Sequence, residues 1–245
     1  MSAQFKIKAA DPASVVRLER ELGLPRFIAA TLVARGIDNP AAVHRFLAPS
    51  LERDWLDPYI IPGLSDVADA LEAAVKRGDH ILVFGDFDLD GISATTVLTR
   101  GLRALGAQAT PFIPLRFEEG YALSQAAITR ACSFGPDFIV TVDCGITALD
   151  EADYARELGV DLVITDHHEC SGQAIPNAVA VVDPKRPGSQ YPNGGLAGVG
   201  VAYKLLCALE GDSTQVLRDY GDLVAIGTVA DVMPLTGENR YLVAQ

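Results

Sequence analysis

The sequence predicts an α/β protein: a mostly parallel sheet of about five strands with helices on both faces, preceded by a helical N-terminal segment. Three observations point there. From residue 80 onward, short apolar runs alternate with amphipathic stretches of helical period. The runs lack polar alternation, so each strand must be covered on both faces, as in a parallel sheet. Acidic residues close four of the runs, which would gather them at one edge of that sheet.

Taken in order, residues 1–64 read as a helical lead-in. "PRFIAATLVARG" has apolar residues at helical spacing and stops at Gly36; "NPAAVHRFLAP" has a proline in its first turn and ends at another. "LERDWLDPYIIPGL" is broken by prolines and reads as irregular. Ser65 is the expected N-cap of "DVADALEAAVKRG". Residues 65–233 then form the α/β portion. Strand "HILVFGD" leads to helix "ISATTVLTRGLRALG", strand "AQATPFIPL" to helix "SQAAITRACSFG", and strand "DFIVTVD" to helix "ALDEADYARELG". Strands "DLVITD" and "AVAVVDP" follow, and helices over 195–210 and 221–231 close the portion. Residues 234–245 read as the start of a connector to a further domain.

Bulk properties narrow the function classes. A chain of 245 residues can bury a large core, and 49% apolar with 21% charged residues is ordinary for a globular protein. No apolar run reaches the roughly 20 residues of a membrane span, and "MSAQFKIKAADP" lacks the apolar core of a signal peptide. Cys132, Cys144, Cys170 and Cys207 show no metal-type spacing, so free thiols in a reducing cytoplasm are expected. A net charge of −12 argues against a simple basic nucleic-acid binder. That argument weakens if Asp86, Asp88, Asp90, Asp143, Asp166 and Asp231 surround two divalent ions, which would offset part of the charge.

The densest signal is "VFGDFDLDGISAT", where Asp86, Asp88 and Asp90 alternate with Phe87 and Leu89 directly after the first strand. Like charges that close repel, so a cation is expected among them. Ligands of open parallel sheets gather beyond the carboxyl ends of the strands. There Asp143 ends the third strand, Asp166, His167 and His168 the fourth, and Asp183 the fifth. Carboxylates with imidazole and no thiolate cluster suit Mg²⁺ or Mn²⁺, and two such ions can share a carboxylate and clamp a phosphoryl group. Gly91 permits a tight turn, and the following helix start would favour phosphate. A calcium-binding helical loop also begins D-x-D-x-D-G, but it needs a glutamate at its twelfth position, where Val97 stands.

These residues resemble the DHH phosphoesterase superfamily, whose name matches Asp166, His167 and His168. "VFGDFDLDGISAT", "PLRFEEGYAL", "VTVDCGI", "VITDHHE", "LAGVGVAYKL" and "IGTVADVMPLTGENR" stand in the order found in its bacterial single-strand-specific DNA exonucleases. The resemblance covers residues 25–245. It implies a DHH metal-binding catalytic domain over 65–233. It implies removal of nucleotides from the 5′ end of single-stranded DNA, releasing 5′-mononucleotides, in DNA repair and recombination. The implied cofactors are two ions of Mn²⁺ or Mg²⁺. One would be held by Asp86, Asp88 and Asp143, the other by Asp90, Asp143, His167 and Asp231, with Asp143 bridging. His168 would face the scissile phosphate as binder or proton donor, and Asp166 would orient its neighbours. The implied partners are single-stranded DNA, a single-strand-binding protein and a helicase, with no membrane. Relatives continue past "GENRYLVAQ" into a long helix and further domains, so a truncated chain is expected.

The sequence departs from the family pattern at "FDLDG" and at Ala122, where glycine is usual; neither change removes a ligand. Two alternatives keep the fold: a phosphodiesterase for short oligonucleotides or cyclic dinucleotides or a pyrophosphatase, and a replication scaffold that does not cut. Arg116, Glu118, Glu119 and Tyr121 are either a lip of the site, with Arg116 near phosphate, or a solvated loop. Lys185 and Arg186 are candidate phosphate contacts. "GGLAGVGVAYKLL" is either a phosphate-cradling turn or a packing device, and Lys204 within it reads as an exposed charge. Asp183 reads first as a turn residue before Pro184. Phe87 and Tyr121 are candidates to stack on bases, and His44 and His80 read as structural.

Overall fold

The computed structural model describes residues 8–120 and 122–244. The chain divides into two compact units, residues 1–55 and 56–245.

The first unit holds α1 (Pro12–Leu22), α2 (Arg26–Ala34), α3 (Pro40–Leu47) and the single turn α4 (Leu51–Asp54). Asp11 caps α1 by accepting from the Ser14 amide at 2.8 Å, and Gly23 ends it in a left-handed conformation. Asn39 caps α3 in the same way. Val15, Leu18, Ala29, Leu32 and Val43 form a small core of their own.

The second unit opens with a 3₁₀ turn (Pro58–Ile60) and α5 (Leu64–Arg77). Residues 56–64, expected in the lead-in, belong to this unit. Ile61 is buried, and the Tyr59 hydroxyl donates to the Ala208 carbonyl. The expected cap at Ser65 is displaced: Gly63 precedes α5 at φ 83, and Ser65 lies inside the helix. A side chain at Gly63 would strike the Val181 carbonyl at 1.9 Å, so glycine is needed there for space as well as conformation.

Then follow β1 (His80–Phe84), α6 (Leu89–Ala104), β2 (Gln108–Phe112), the one-turn α7 (Arg116–Glu119) and α8 (Gln125–Cys132). They continue into β3 (Phe138–Thr141), α9 (Leu149–Glu157), β4 (Asp161–Thr165), β5 (Ala180–Val182), α10 (Gly198–Glu210), α11 (Ser213–Ala230) and α12 (Gly237–Ala244). The five strands are all parallel, in the order β2-β1-β3-β4-β5. Leu82, Phe84, Ile139, Leu162 and Ile164 pack with α8 and α9, while α5, α6 and α10 lie against the strands as well. Covering both faces explains the unbroken apolar runs.

Residues 234–245, expected to start a connector, hold α12, and the first part of that helix packs onto the unit. Glu238, Asn239, Tyr241 and Leu242 of α12 are buried. Lys204, expected to be exposed, is fully buried in α10 and pairs with Glu238 while donating to the Leu56 carbonyl at 2.5 Å. Its neighbours explain this: Val201, Ala202, Tyr203, Leu205, Leu206 and Cys207 are all buried, and a helix apolar all round has no exposed face to offer a lysine.

Candidate metal centre

The strand order reverses direction between β1 and β3, which leave the switch point on opposite sides. Open sheets bind ligands in the crevice at that point, beyond the carboxyl ends of the strands. The turn after β1 carries Asp86, Asp88 and Asp90; the turn after β3 carries Asp143; the end of β4 carries Asp166, His167 and His168. Asp231 reaches the same place from the C-terminal end of α11.

Local chemistry places each side chain. Asp88 is the N-cap of α6 and accepts from the Gly91 amide at 3.0 Å, so the helix starts at Leu89, earlier than expected. Asp86 is buried and accepts from the Phe87 amide at 2.7 Å. Asp90, in the first turn of α6, is held by two amides at the start of α10: Gly198 at 2.7 Å and Val199 at 2.9 Å. The glycine-rich helix start thus binds a protein carboxylate, not the phosphate that one reading of the sequence offered it. Asp143 sits at φ 62, a left-handed conformation that a non-glycine residue holds only under constraint. Gly198 supplies part of the space, because a Cβ there would lie 2.4 Å from Asp143 Oδ1.

These side chains form three overlapping groups able to hold an ion: Asp86, Asp88 and Asp143; Asp90, His167 and Asp231; and Asp143, Asp166, His167 and His168. His167 Nε2 lies 3.0 Å from Asp143 Oδ1, 3.7 Å from Asp231 Oδ2 and 3.8 Å from Asp90 Oδ2. Yet Asp143 Oδ1, Asp231 Oδ2 and His167 Nε2 are buried without a hydrogen-bond partner. Buried polar atoms that converge without bonding to one another need a further group among them. Oxygen and imidazole donors in this number fit a hard to borderline dication.

The electrostatics agree. Burial, reinforced by the charge of Asp143, pushes Asp90 up to about 7; burial, reinforced by Asp88 and Asp166, pushes Asp143 up to about 8. Burial also lowers the pKa of His167, leaving the neutral imidazole that a metal requires. A dication would reverse the carboxylate shifts.

Asp166 points elsewhere. Its Oδ1 accepts from the His167 and His168 amides and from His168 Nδ1 at 2.7 Å, and its Oδ2 from the Ile146 amide at 2.9 Å. Burial alone would raise it, but these bonds and the charge of His168 hold it below the ordinary carboxylate value. In return, the Asp166 hydrogen bond raises His168 to about 9. His168 is half-buried at the rim of the cluster.

The remaining candidates divide. The Arg116 guanidinium lies 4.4 Å from the Phe87 ring centroid, which sets a positive charge beside the Asp86–Asp88 turn. The Glu119 carboxylate anchors this segment through an ion pair with Arg130 and by accepting from the Leu115 amide at 2.7 Å. Ala122 adopts φ 60, the conformation that glycine reaches without strain. Tyr121 lies outside the described residues. Lys185 pairs with Glu169 at 3.5 Å, and Arg186 donates to the Val181 carbonyl at 2.8 Å. Asp183 is a turn residue, as expected, accepting from the Lys185 amide at 2.6 Å. It is also fully buried, with Oδ2 unpartnered, and burial raises it to about 7. The imidazole of His80 bridges Gly135 and Thr110, a structural role.

Sequence reasoning missed the amide pair that holds Asp90 and the close approach of Gly198 to Asp143. The signal was present in "LAGVGVAY", whose spaced glycines mark close backbone approach, but their partner was not legible.

The comparisons with known proteins agree with this geometry. The family model for the DHH family, N-terminal domain, matches residues 80–228. The chain is 41% identical over 239 residues to the single-stranded-DNA-specific exonuclease RecJ of Bacillus subtilis (strain 168), covering 98% of this chain and 30% of that relative. It is similar to a crystal structure of RecJ from Thermus thermophilus in complex with Mn²⁺ (TM-score 0.76, 34% identity, covering 96% of this chain and 33% of that one). RecJ from the same organism in complex with Mg²⁺ matches with TM-score 0.64 and 31% identity, covering 96% of this chain and 29% of that one. The chain therefore spans about a third of the length of these relatives. With its domain, its motif order and its ligand cluster in agreement, the chain belongs to the DHH family.

Proposed function

We propose that this chain is the metal-binding catalytic domain of a single-strand-specific DNA exonuclease that releases 5′-mononucleotides from the 5′ end, with two ions of Mn²⁺ or Mg²⁺. The observation that carries the proposal is the meeting of two ligand groups at buried, unpartnered atoms: Asp86, Asp88 and Asp143 on one side, Asp90, His167 and Asp231 on the other. Asp143 lies within reach of both, 3.0 Å from His167 and grouped with Asp86 and Asp88. The relatives named as RecJ and solved with Mn²⁺ and Mg²⁺ support the metal and the substrate.

When bound, two such ions activate water and neutralise charge on the phosphoryl oxygens. The chain's own residues supply the rest. Asp143, held at φ 62, would serve both ions. The α10 amides hold Asp90 as an acceptor-only carboxylate. Asp166 accepts a hydrogen bond from His168 Nδ1–H, leaving Nε2–H as the donor toward a phosphate or a departing oxygen. The Asp166 hydrogen bond, the largest cause of the raised His168 pKa, favours retention of that proton. Arg116, steadied on Phe87, adds positive charge for the DNA backbone.

We extend the proposal to the partners and setting that the resemblance implies, a single-strand-binding protein, a helicase and the cytoplasm. Among the described residues no helix is long and apolar enough to cross a membrane. The test compares Mn²⁺-dependent hydrolysis of a long 5′-phosphorylated single strand, a dinucleotide and pyrophosphate, with Asp143→Ala as control. Preferred cleavage of the long strand, lost in Asp143→Ala, supports the proposal. Preference for either small substrate, or no hydrolysis of any by the intact protein, overturns it.

A further inference from the structure

Asp231 sits in an awkward place for a ligand. It ends α11, its side chain is a quarter exposed, and the next residue, Val232, lies at φ 57. A β-branched residue is strained in the left-handed region, and here the Val232 and Met233 amides, bonded to the Val229 and Thr228 carbonyls, close the end of α11 in that shape. Residues 234–237 of the turn are exposed, so packing there imposes little.

One buried side chain anchors the turn that follows. Asn239 of α12 is fully buried, and its Nδ2 donates both to the Pro234 carbonyl at 3.1 Å and to the Gly195 carbonyl at 2.5 Å. Pro234 lies three residues after Asp231; Gly195 lies three residues before Gly198, whose amide holds Asp90. A single amide group therefore ties the segment whose amides hold Asp90 to the segment that presents Asp231. Neighbouring Glu238 secures the staple from behind. It takes bonds from Tyr191, Asn193, Lys204 and the Leu56 amide, which span the same loop, α10 and the start of the unit. A buried ion pair such as Lys204–Glu238 is a weak source of stability, whereas a fixed arrangement of segments is a use for it.

We propose that Asn239, beyond the residues matched by the family model, is a positioning residue for the ion held by Asp90, His167 and Asp231, and not for the ion held by Asp86, Asp88 and Asp143. This rests on the two-ion reading above. Asp86 and Asp88 are held within their own turn, accepting from the Phe87 and Gly91 amides.

The test is Mn²⁺ titration of the full chain, with free Mn²⁺ counted by electron paramagnetic resonance and folding checked by circular dichroism. Asn239→Asp keeps the shape and removes both donated bonds. We expect one ion to bind as in the unaltered protein and the other to weaken by about 10–100-fold, the usual effect of losing a group that orients ligands. Pro234→Gly, in the exposed turn, leaves Asn239 intact and loosens the Asp231 segment. It is expected to weaken the same ion alone and serves as the deciding variant if Asn239→Asp does not fold. Equal weakening of both ions, or two ions bound as tightly as in the unaltered protein, overturns the positioning role. An unaltered protein that takes up no Mn²⁺ refutes the two-ion reading itself, so the two failures are distinguishable.

Discussion

Gly198→Ala tests the site at its tightest point. The added Cβ would stand 2.4 Å from Asp143 Oδ1, 2.5 Å from its Cβ and 2.6 Å from its Cγ. Carbon atoms in contact prefer about 3.5–4.0 Å, so one partner must retreat by about 1 Å. Gly198 is poorly placed to move, because its amide is bonded to Asp90 at 2.7 Å and it opens α10. Asp143 must yield, from a backbone already held at φ 62. Overpacking of this kind costs about 1–3 kcal/mol of stability. A displacement of about 1 Å in a reacting constellation costs about 100-fold in rate. The expected outcome is a folded protein, somewhat less stable, whose Mn²⁺-dependent cleavage of 5′-labelled single-stranded DNA falls by about that factor and whose Mn²⁺ affinity falls for both ions. Wild-type affinity and cleavage in Gly198→Ala would show that Asp143 does not serve from the position seen here.

Three further outcomes follow from the same geometry. The raised pKa values of Asp90 and Asp143, about 7 and about 8, mean that the metal-free fold holds protons that the unfolded chain releases near 3.8. Their contribution is therefore full below about pH 4 and lost as pH rises to about 8; thermal melts in chelator should show this fall, and melts in Mn²⁺ should not. His168→Asn should leave Mn²⁺ uptake intact and lower cleavage by about 100-fold or more, while Asp166→Asn should move the alkaline limb of the pH–rate profile below the pKa of about 9 that Asp166 gives His168; unchanged profiles in both would remove the proton-donor role. Lys204→Met leaves the Glu238 carboxylate buried without its cation, so denaturant melts should show a loss of about 3–5 kcal/mol; a loss within error would mean that the pair is not maintained in solution.

The parallel sheet and its helices were legible because strands buried on both faces leave unbroken apolar runs, such as "ILVF" and "FIVT". The cluster of acids was legible for a related reason: turns at the same end of parallel strands share one edge. Other features depend on tertiary contacts between distant segments. Nothing local in α10 announces that its first amides receive Asp90, more than a hundred residues earlier. The burial of Lys204 was readable in principle from its apolar flanks, yet a lysine without its partner in view looks like a surface residue. That partner, Glu238, lies in a segment that reads as a connector because one short polar helix start has no visible periodicity.

The most direct measurement is anomalous scattering at the manganese edge from crystals soaked in Mn²⁺. Two peaks about 3.5–4 Å apart are expected, one among Asp86, Asp88 and Asp143 and one among Asp90, Asp143, His167 and Asp231. No peak at the tips of β1, β3 and β4, or peaks that leave Asp143 unligated, would contradict it.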